Sequence, residues 1–174
     1  GQSMPRLDIA EKVNGKAAFG IDVKQPGLLT ARVVRCPVFG GKVARFNADK
    51  TKAIPGVRHV VKIGSGVAVV ADNYWAASKG VHALEVKWDE GALANLTSAG
   101  ITKTYAALAE QPGKVARNDG DVAAALKASS RAFERVYEVP FLAHATMEPM
   151  NCTAEVRADG CDVWVPTQGQ TASH

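Results

Sequence analysis

Residues 57–88 read VRHVVKIGSGVAVVADNYWAASKGVHALEVKW. Two apolar runs, Val57 to Ile63 and the fully apolar Val67 to Ala71, read as strands on either side of Gly64-Ser65-Gly66, a turn signal. Asp72 and Asn73 then offer helix N-caps. Tyr74, Ala77, Val81 and Leu84 follow at helical spacing, which predicts a helix over 73–83. Glu85-Val86-Lys87-Trp88 alternates as a returning strand.

The pattern extends upstream. Leu28 to Arg35 is a strand with Leu29, Ala31 and Val33 on one face, ended by Cys36-Pro37 because proline cannot continue a ladder. Phe19 to Val23 is a shorter strand, stopped by Gln25-Pro26-Gly27, and Lys42 to Phe46 is another. Asp49 to Ile54 makes one or two helical turns with Asp49 as the possible cap. Strands, a short helix, two strands, a helix and a returning strand together form a compact α+β domain. It occupies residues 13–90, behind a polar arm over 1–12. Residues 91–129 read as a connecting segment with helices at Thr102 to Ala109 and Asp121 to Ala128. Residues 130–174 begin a second domain. Arg131 to Val139 alternates as a long strand there, and Thr153 to Arg157 and Asp162 to Val165 form a hairpin around Ala158-Asp159-Gly160.

Composition bounds the function. The chain has 174 residues, 47% hydrophobic and 22% charged, which excludes wholesale disorder, collagen and coiled coil. With aromatics at 6%, the core is expected to be built from small aliphatics. The formal net charge of +4 is scattered, and no basic run is dense enough to track phosphates. Arg32, Arg35, Lys42 and Arg45 alternate with apolar residues, as on the wet face of strands. The expected partners therefore include no nucleic acid, and no apolar run is long enough to span a membrane. The three cysteines, Cys36, Cys152 and Cys161, contain no C-x-x-C spacing, so a structural zinc site or thioredoxin-type motif is not indicated. A Cys152–Cys161 disulfide across the hairpin and free buried thiols are the two readings left.

Few residues suggest chemistry. Gly64-Ser65-Gly66 is followed by strand-like residues rather than by a helix whose N-terminus could hold an anion, so it reads as a hairpin turn and not a phosphate loop. His144 and Glu148 lie four apart and would share a helix face, but Pro140 and Pro149 bracket them and no third ligand is evident. Met147-Glu148-Pro149-Met150 combines a carboxylate with two soft methionines, whose plain reading is a tight turn packed by methionine. Gln168 follows Pro166-Thr167 at a strand end. Its carboxamide can hydrogen-bond a ligand or cap a helix starting at Thr167.

The order of longer motifs adds a resemblance. His144-Ala-Thr-Met-Glu-Pro-Met-Asn-Cys-Thr-Ala154, Asp159-Gly-Cys-Asp-Val-Trp164 and Pro166-Thr-Gln168 resemble the opening of the molybdenum-binding domain of the xanthine dehydrogenase/aldehyde oxidase family. Within the family they most resemble the large (beta) subunits of isoquinoline 1-oxidoreductase-like enzymes. Gly15-Lys-Ala-Ala-Phe-Gly-Ile-Asp22, Ile54-Pro-Gly-Val57 and Gly66-Val-Ala-Val-Val-Ala-Asp-Asn-Tyr-Trp-Ala-Ala77 resemble the α/β hammerhead domain that precedes it. The similarity runs over roughly residues 12–174.

The resemblance implies a molybdenum hydroxylase, an oxidoreductase that adds water-derived oxygen to an N-heterocycle or aldehyde. It implies a molybdopterin cofactor, carried as the cytosine dinucleotide in bacterial members, and iron–sulfur clusters on a small partner subunit. It places Gln168 beside the molybdenum, with His144 and Glu148 as further cofactor contacts, and implies a periplasmic enzyme with a cytoplasmic one as the alternative. The family's Gly-Gly-Gly-Phe-Gly cofactor loop and its catalytic glutamate are not in the sequence. The expectation is therefore a fragment that binds no cofactor and is inactive alone, whose exposed strand edges could pair with a second copy. The competing expectation is a self-sufficient α+β binding module without catalysis.

Overall fold

The structure, a computed structural model, describes residues 1–173. In chain order its helices are α1 (Ile9–Val13), α2 (Asp49–Lys52), α3 (Tyr74–Ala83), α4 (Ser98–Ala109) and α5 (Val122–Ala128). Its strands are β1 (Thr30–Arg35), β2 (Lys42–Asn47), β3 (Val57–Ile63), β4 (Gly66–Ala71), β5 (Glu85–Asp89), β6 (Thr153–Arg157) and β7 (Gly160–Trp164). The architecture is mixed α+β. The chain divides into two compact units, Thr30–Ala143 and a unit made of Gly1–Leu29 with the chain from His144 onward.

In the Thr30–Ala143 unit, β4 lies between β1 and β3, antiparallel to both. β3 and β4 are joined through Gly64-Ser65, with Ile63 opposite Gly66, so the glycine pair serves a hairpin. The core sits on β4: Val67, Val69 and Ala71 are fully buried, with Ala76 and Ala77 of α3 packed over the sheet. Burying such small side chains contributes about 1.5 kcal/mol or less apiece, so stability depends on close approach of backbones. β2 and β5 form a second antiparallel pair with a register shift between Val43 and Arg45.

The α3 helix starts where the sequence says it should. Asn73 is extended and its side chain accepts from Ala76 N at 3.0 Å, a cap worth about 1 kcal/mol. The buried stripe differs from the expected one. Ala76, Ala77, Ser78 and Gly80 face inward, while Tyr74 is exposed. Tyr74 instead receives the Arg32 guanidinium 5.3 Å from its ring centroid. Arg32 also donates to Ser78 Oγ at 2.8 Å, so it is half-buried and not on a wet face, unlike Arg35, Lys42 and Arg45. On β1 the residues turned outward are Ala31, Val33 and Arg35.

Beside the N-terminus of α3, the Arg58 Nε and Nη2 donate to the two Asp72 carboxylate oxygens at 2.6 and 2.9 Å. The guanidinium holds the Asp72 carboxyl below the usual carboxylate range. A lowered folded-state value stabilises the fold above the unfolded-state value, and that contribution disappears as pH falls through the lowered one. Both side chains are substantially exposed, so the effect is modest. Thermal unfolding of Asp72→Asn beside the parent chain should show a small deficit near neutral pH. The deficit should close as pH falls through and below the usual carboxylate range. A gap that widened toward acid would contradict this pairing.

Other expectations are corrected. Asp49 is the first residue of α2 and not its cap, and its N–H donates to Asn47 Oδ1 at 2.8 Å. Residues 9–12 of the expected arm, together with Val13, form α1. Phe19 to Val23 is not a strand: Gly20–Asp22 is a 3₁₀ turn, because Asp22 N donates to Phe19 O at 2.9 Å while Asp22 Oδ2 accepts from Phe19 N at 3.0 Å. A carboxylate that satisfies a nearby N–H competes with a ladder. Arg131 to Val139 forms no strand either. Alternation marks which faces a strand would have, but a strand exists only when a neighbour takes its N–H and C=O groups, and none does among the described residues. Phe133 and Tyr137 are accordingly 76% and 89% exposed.

The C-terminal hairpin forms, with Thr153 opposite Trp164 and Val156 opposite Cys161. That register excludes the Cys152–Cys161 disulfide. Cys152 lies beyond the Thr153 end, about 13 Å along the hairpin from Cys161 at ~3.3 Å per residue, whereas a disulfide spans Cα atoms less than about 7 Å apart. The thiols are free but not buried as expected: Cys36 is half-buried, and Cys152 and Cys161 are exposed. No helix of the described residues is long and apolar enough to cross a membrane.

Candidate functional site

The candidate residues all fall in the unit formed by the N-terminal segment and the chain after His144. Three segments meet there. The first is the 3₁₀ turn Gly20–Asp22, the second the loop 144–151, and the third the end of β7 running into Val165 and Pro166. Between them lies an open cleft of about 540 Å³, walled by Phe19, Glu148, Trp164, Val165 and Pro166. A smaller hollow of about 150 Å³ in the other unit is lined by Pro37, Phe39, Leu93 and Leu96 among others, with no ionisable side chain. Only the first cavity adjoins residues singled out in the sequence.

Glu148 is half-buried, and its Oε1 accepts from Gly20 N at 3.2 Å, a bond spanning 128 residues of sequence. The Glu148 carbonyl accepts from Thr146 Oγ1 at 2.9 Å. Ala145 has φ +37°, the only positive value at a non-glycine among the described residues. A left-handed alanine costs about 1–2 kcal/mol and persists only where its surroundings hold it. Here the Thr146 and Glu148 bonds supply that hold. Asn151 Nδ2 donates to Pro149 O at 2.7 Å, while its Oδ1 is buried with no hydrogen-bond partner. That oxygen packs on Gly20, where an added Cβ would lie 2.7 Å from it and 3.0 Å from Pro166 Cδ.

His144 and Gln168 are exposed. No hydrogen bond or ion pair joins His144, Glu148 and Gln168 to one another among the described residues, and no group of three or more His, Cys, Asp or Glu side chains there could hold a metal ion. Met147 and Met150 are 99% and 93% exposed, so they do not pack the turn as expected. Gly169 N donates to Thr167 Oγ1 at 3.1 Å in a local turn, and the final 3₁₀ turn starts at Gln170, so Gln168 caps no helix starting at Thr167. His59 and His82 are exposed, and His82 Nδ1 is 2.7 Å from Ser78 O on its own helix.

Sequence reasoning missed Gly20 and Asn151. Their role comes from contact between segments far apart in the chain, and no local spacing announces it.

A pterin cofactor with a phosphate needs several converging donors. Here the Glu148 carboxylate offers acceptors only, and the space over Gly20 is filled by Asn151 and Pro166. The described residues by themselves do not fit a molybdopterin group.

Comparison with known proteins places the chain in a class. Residues 107–174 match a family model described as the molybdopterin cofactor-binding domain. The chain is similar to the molybdenum-binding subunits of the xanthine dehydrogenase/aldehyde oxidase family. It is 32% identical to the beta subunit of the isoquinoline 1-oxidoreductase of Brevundimonas diminuta, over 98% of this chain and 23% of that protein. It is 30% identical to a subunit of the nicotinate dehydrogenase of Pseudomonas putida, over 97% of this chain and 15% of that one. The xanthine dehydrogenase molybdenum-binding subunit of Escherichia coli O157:H7 is 23% identical, over 88% of this chain and 26% of that protein. The chain thus spans about a quarter or less of the length of these relatives. Among solved structures, quinoline 2-oxidoreductase from Pseudomonas putida 86 aligns over 52% of this chain and 16% of its own, at 16% identity and TM-score 0.42.

Proposed function

We propose that the chain is part of the large subunit of a molybdenum hydroxylase, an oxidoreductase that hydroxylates an N-heterocycle or aldehyde with oxygen from water. In this reading residues 13–90 are the α/β hammerhead domain, 91–129 the connecting segment and 130–174 the opening of the molybdopterin-binding domain. Gln168 stands beside the molybdenum in the loaded enzyme, and His144 lies near the cofactor. Iron–sulfur clusters on a partner subunit carry electrons away, and the enzyme works in the periplasm. The observation that carries the reading is the 32% identity maintained over 98% of the chain with a subunit of such an enzyme.

What this chain supplies is a frame and one carboxamide. The exposed Gln168 amide can both donate and accept a hydrogen bond, which suits it to orient an oxygen-bearing ligand. In the molybdenum-loaded enzyme containing this chain, Gln168→Ala should lower turnover by roughly 100-fold, the effect of deleting one donor aimed at developing charge. The circular dichroism spectrum should not change. The assay is heterocycle- or aldehyde-dependent dye reduction, with ¹⁸O-labelled water as the oxygen source. Turnover equal to the parent would remove Gln168 from the site, and product without the label would remove the hydroxylase reading itself. Fractionation of the source cells tests the location.

A further inference from the structure

We infer that Glu148, Gly20 and Asn151 form a clasp that positions the Pro166–Gln168 segment, and that Glu148 acts through this clasp and not as a cofactor ligand. The inference rests on the proposed function only in the role given to Gln168. Three observations carry it. The Glu148 carboxylate is half-buried and takes the Gly20 N–H at 3.2 Å. Asn151 Oδ1 is buried against Gly20 with no hydrogen-bond partner among the described residues. Pro166 closes over the same glycine, with its Cδ 3.0 Å from where a Cβ would stand. Only glycine leaves room for Asn151 and Pro166 beside a Cα whose N–H reaches Glu148.

The consequence is directional. Pro166 has one rigid ring and a fixed φ, so seating it against Gly20 orients the next two residues, Thr167 and Gln168. A side chain meant to meet a ligand needs such support, because small misplacements are costly in a site. Glu148 holds Gly20 in reach, and the Thr146 bond to its carbonyl fixes the loop that carries it. Removing the carboxylate should free residues 17–23 and leave Gln168 present but loosely aimed.

Hydrogen exchange followed by NMR on this chain tests the clasp without any activity. In Glu148→Ala the Gly20 amide should exchange roughly tenfold faster, as expected for loss of one hydrogen bond. Glu148→Gln keeps an acceptor oxygen and should stay near the parent rate. Gly20→Ala should speed exchange in 19–23 and 163–166 together while β1 to β5 remain protected. Unchanged Gly20 exchange in Glu148→Ala would overturn the clasp, and so would Gln behaving like Ala. In the loaded enzyme, Glu148→Ala should lower kcat with little change in KM or molybdenum content, and Glu148→Gln should restore it. Loss of molybdenum in Glu148→Gln would return Glu148 to the cofactor and overturn the inference. Failure of the hydroxylase assay in the parent enzyme would leave the exchange result standing, so the two failures are separable.

Discussion

Gly66→Ala is expected to destabilise the chain by about 3 kcal/mol or more, by forcing β1 away from β4. A Cβ on Gly66 would sit 2.0 Å from the Val34 carbonyl oxygen, 3.0 Å from its carbon and 3.3 Å from the Arg35 Cα. All three atoms are backbone, so no rotamer change relieves the overlap. Gly66 is paired with Arg35 on β1 and is also held on its other side, where it pairs with Ile63 across the hairpin. The strand therefore has to shift, and β4 carries the fully buried Val67 and Val69. In open space an alanine in place of a strand glycine would stabilise by up to about 1 kcal/mol. The predicted sign rests on the close approach alone. Urea unfolding measures the loss, and exchange of the β1 amides locates it. Gly64→Ala is the control, since nothing lies within 4 Å of its added Cβ and its φ is not positive. It should stay within about 0.5 kcal/mol of the parent. Equal stability of the two variants would mean that β1 and β4 do not approach this closely.

Gly80→Val should cost about 3–4 kcal/mol by overpacking the seam between α3 and the sheet. An added Cβ there would lie 2.7 Å from Val69 Cγ1, 3.1 Å from Val57 Cγ2 and 3.3 Å from Thr51 Cγ2. Val69 and Thr51 are fully buried and branched at Cβ, so neither can turn aside cheaply. The helix also has to keep the Gly80 carbonyl where Thr51 Oγ1 donates to it at 3.1 Å. Gly80→Ala sets two effects against each other. Alanine gains about 1 kcal/mol of helix propensity, and the overlap with Val69 removes about 1–3 kcal/mol. A net loss of about 1 kcal/mol is expected. Adding Val69→Ala opens space for the new methyl, so the double variant should be less destabilised than the sum of the singles by about 0.5 kcal/mol or more. Strict additivity in thermal unfolding would show that Gly80 and Val69 are not in contact.

These glycines show where sequence reading stops. Gly64-Ser65-Gly66 is recognisable as a turn because strand-like runs flank it, yet nothing local says which glycine matters. Gly64 looks onto solvent and Gly66 onto the Val34 backbone, and only β1 crossing beside β4 separates them. The α3 span and its Asn73 cap are legible because a cap acts within three residues. The helical spacing of Tyr74, Ala77, Val81 and Leu84 finds only part of the buried stripe: Ala77 is buried and Val81 and Leu84 half-buried, but Tyr74 is exposed. Large side chains suggest a core, but here the sheet lies too close for anything larger than Ala, Ser and Gly. The long strand expected over Arg131 to Val139 fails for the complementary reason. Alternation is a local property, and pairing is not.

The order and type of the elements from β1 through β5, the C-terminal hairpin and the family resemblance can all be read without coordinates, because periodicity, capping, turn chemistry and motif order are written along the chain. Packing in three dimensions turns Arg32 inward onto Tyr74 and Ser78, makes contact points of Gly66 and Gly80, and holds Cys152 and Cys161 apart. It also joins Gly20 to Glu148 and Asn151 across more than a hundred residues. Each of these depends on which backbone arrives within about 3 Å of which side chain. That distance is set by the packing of distant segments against one another, and no local pattern encodes it.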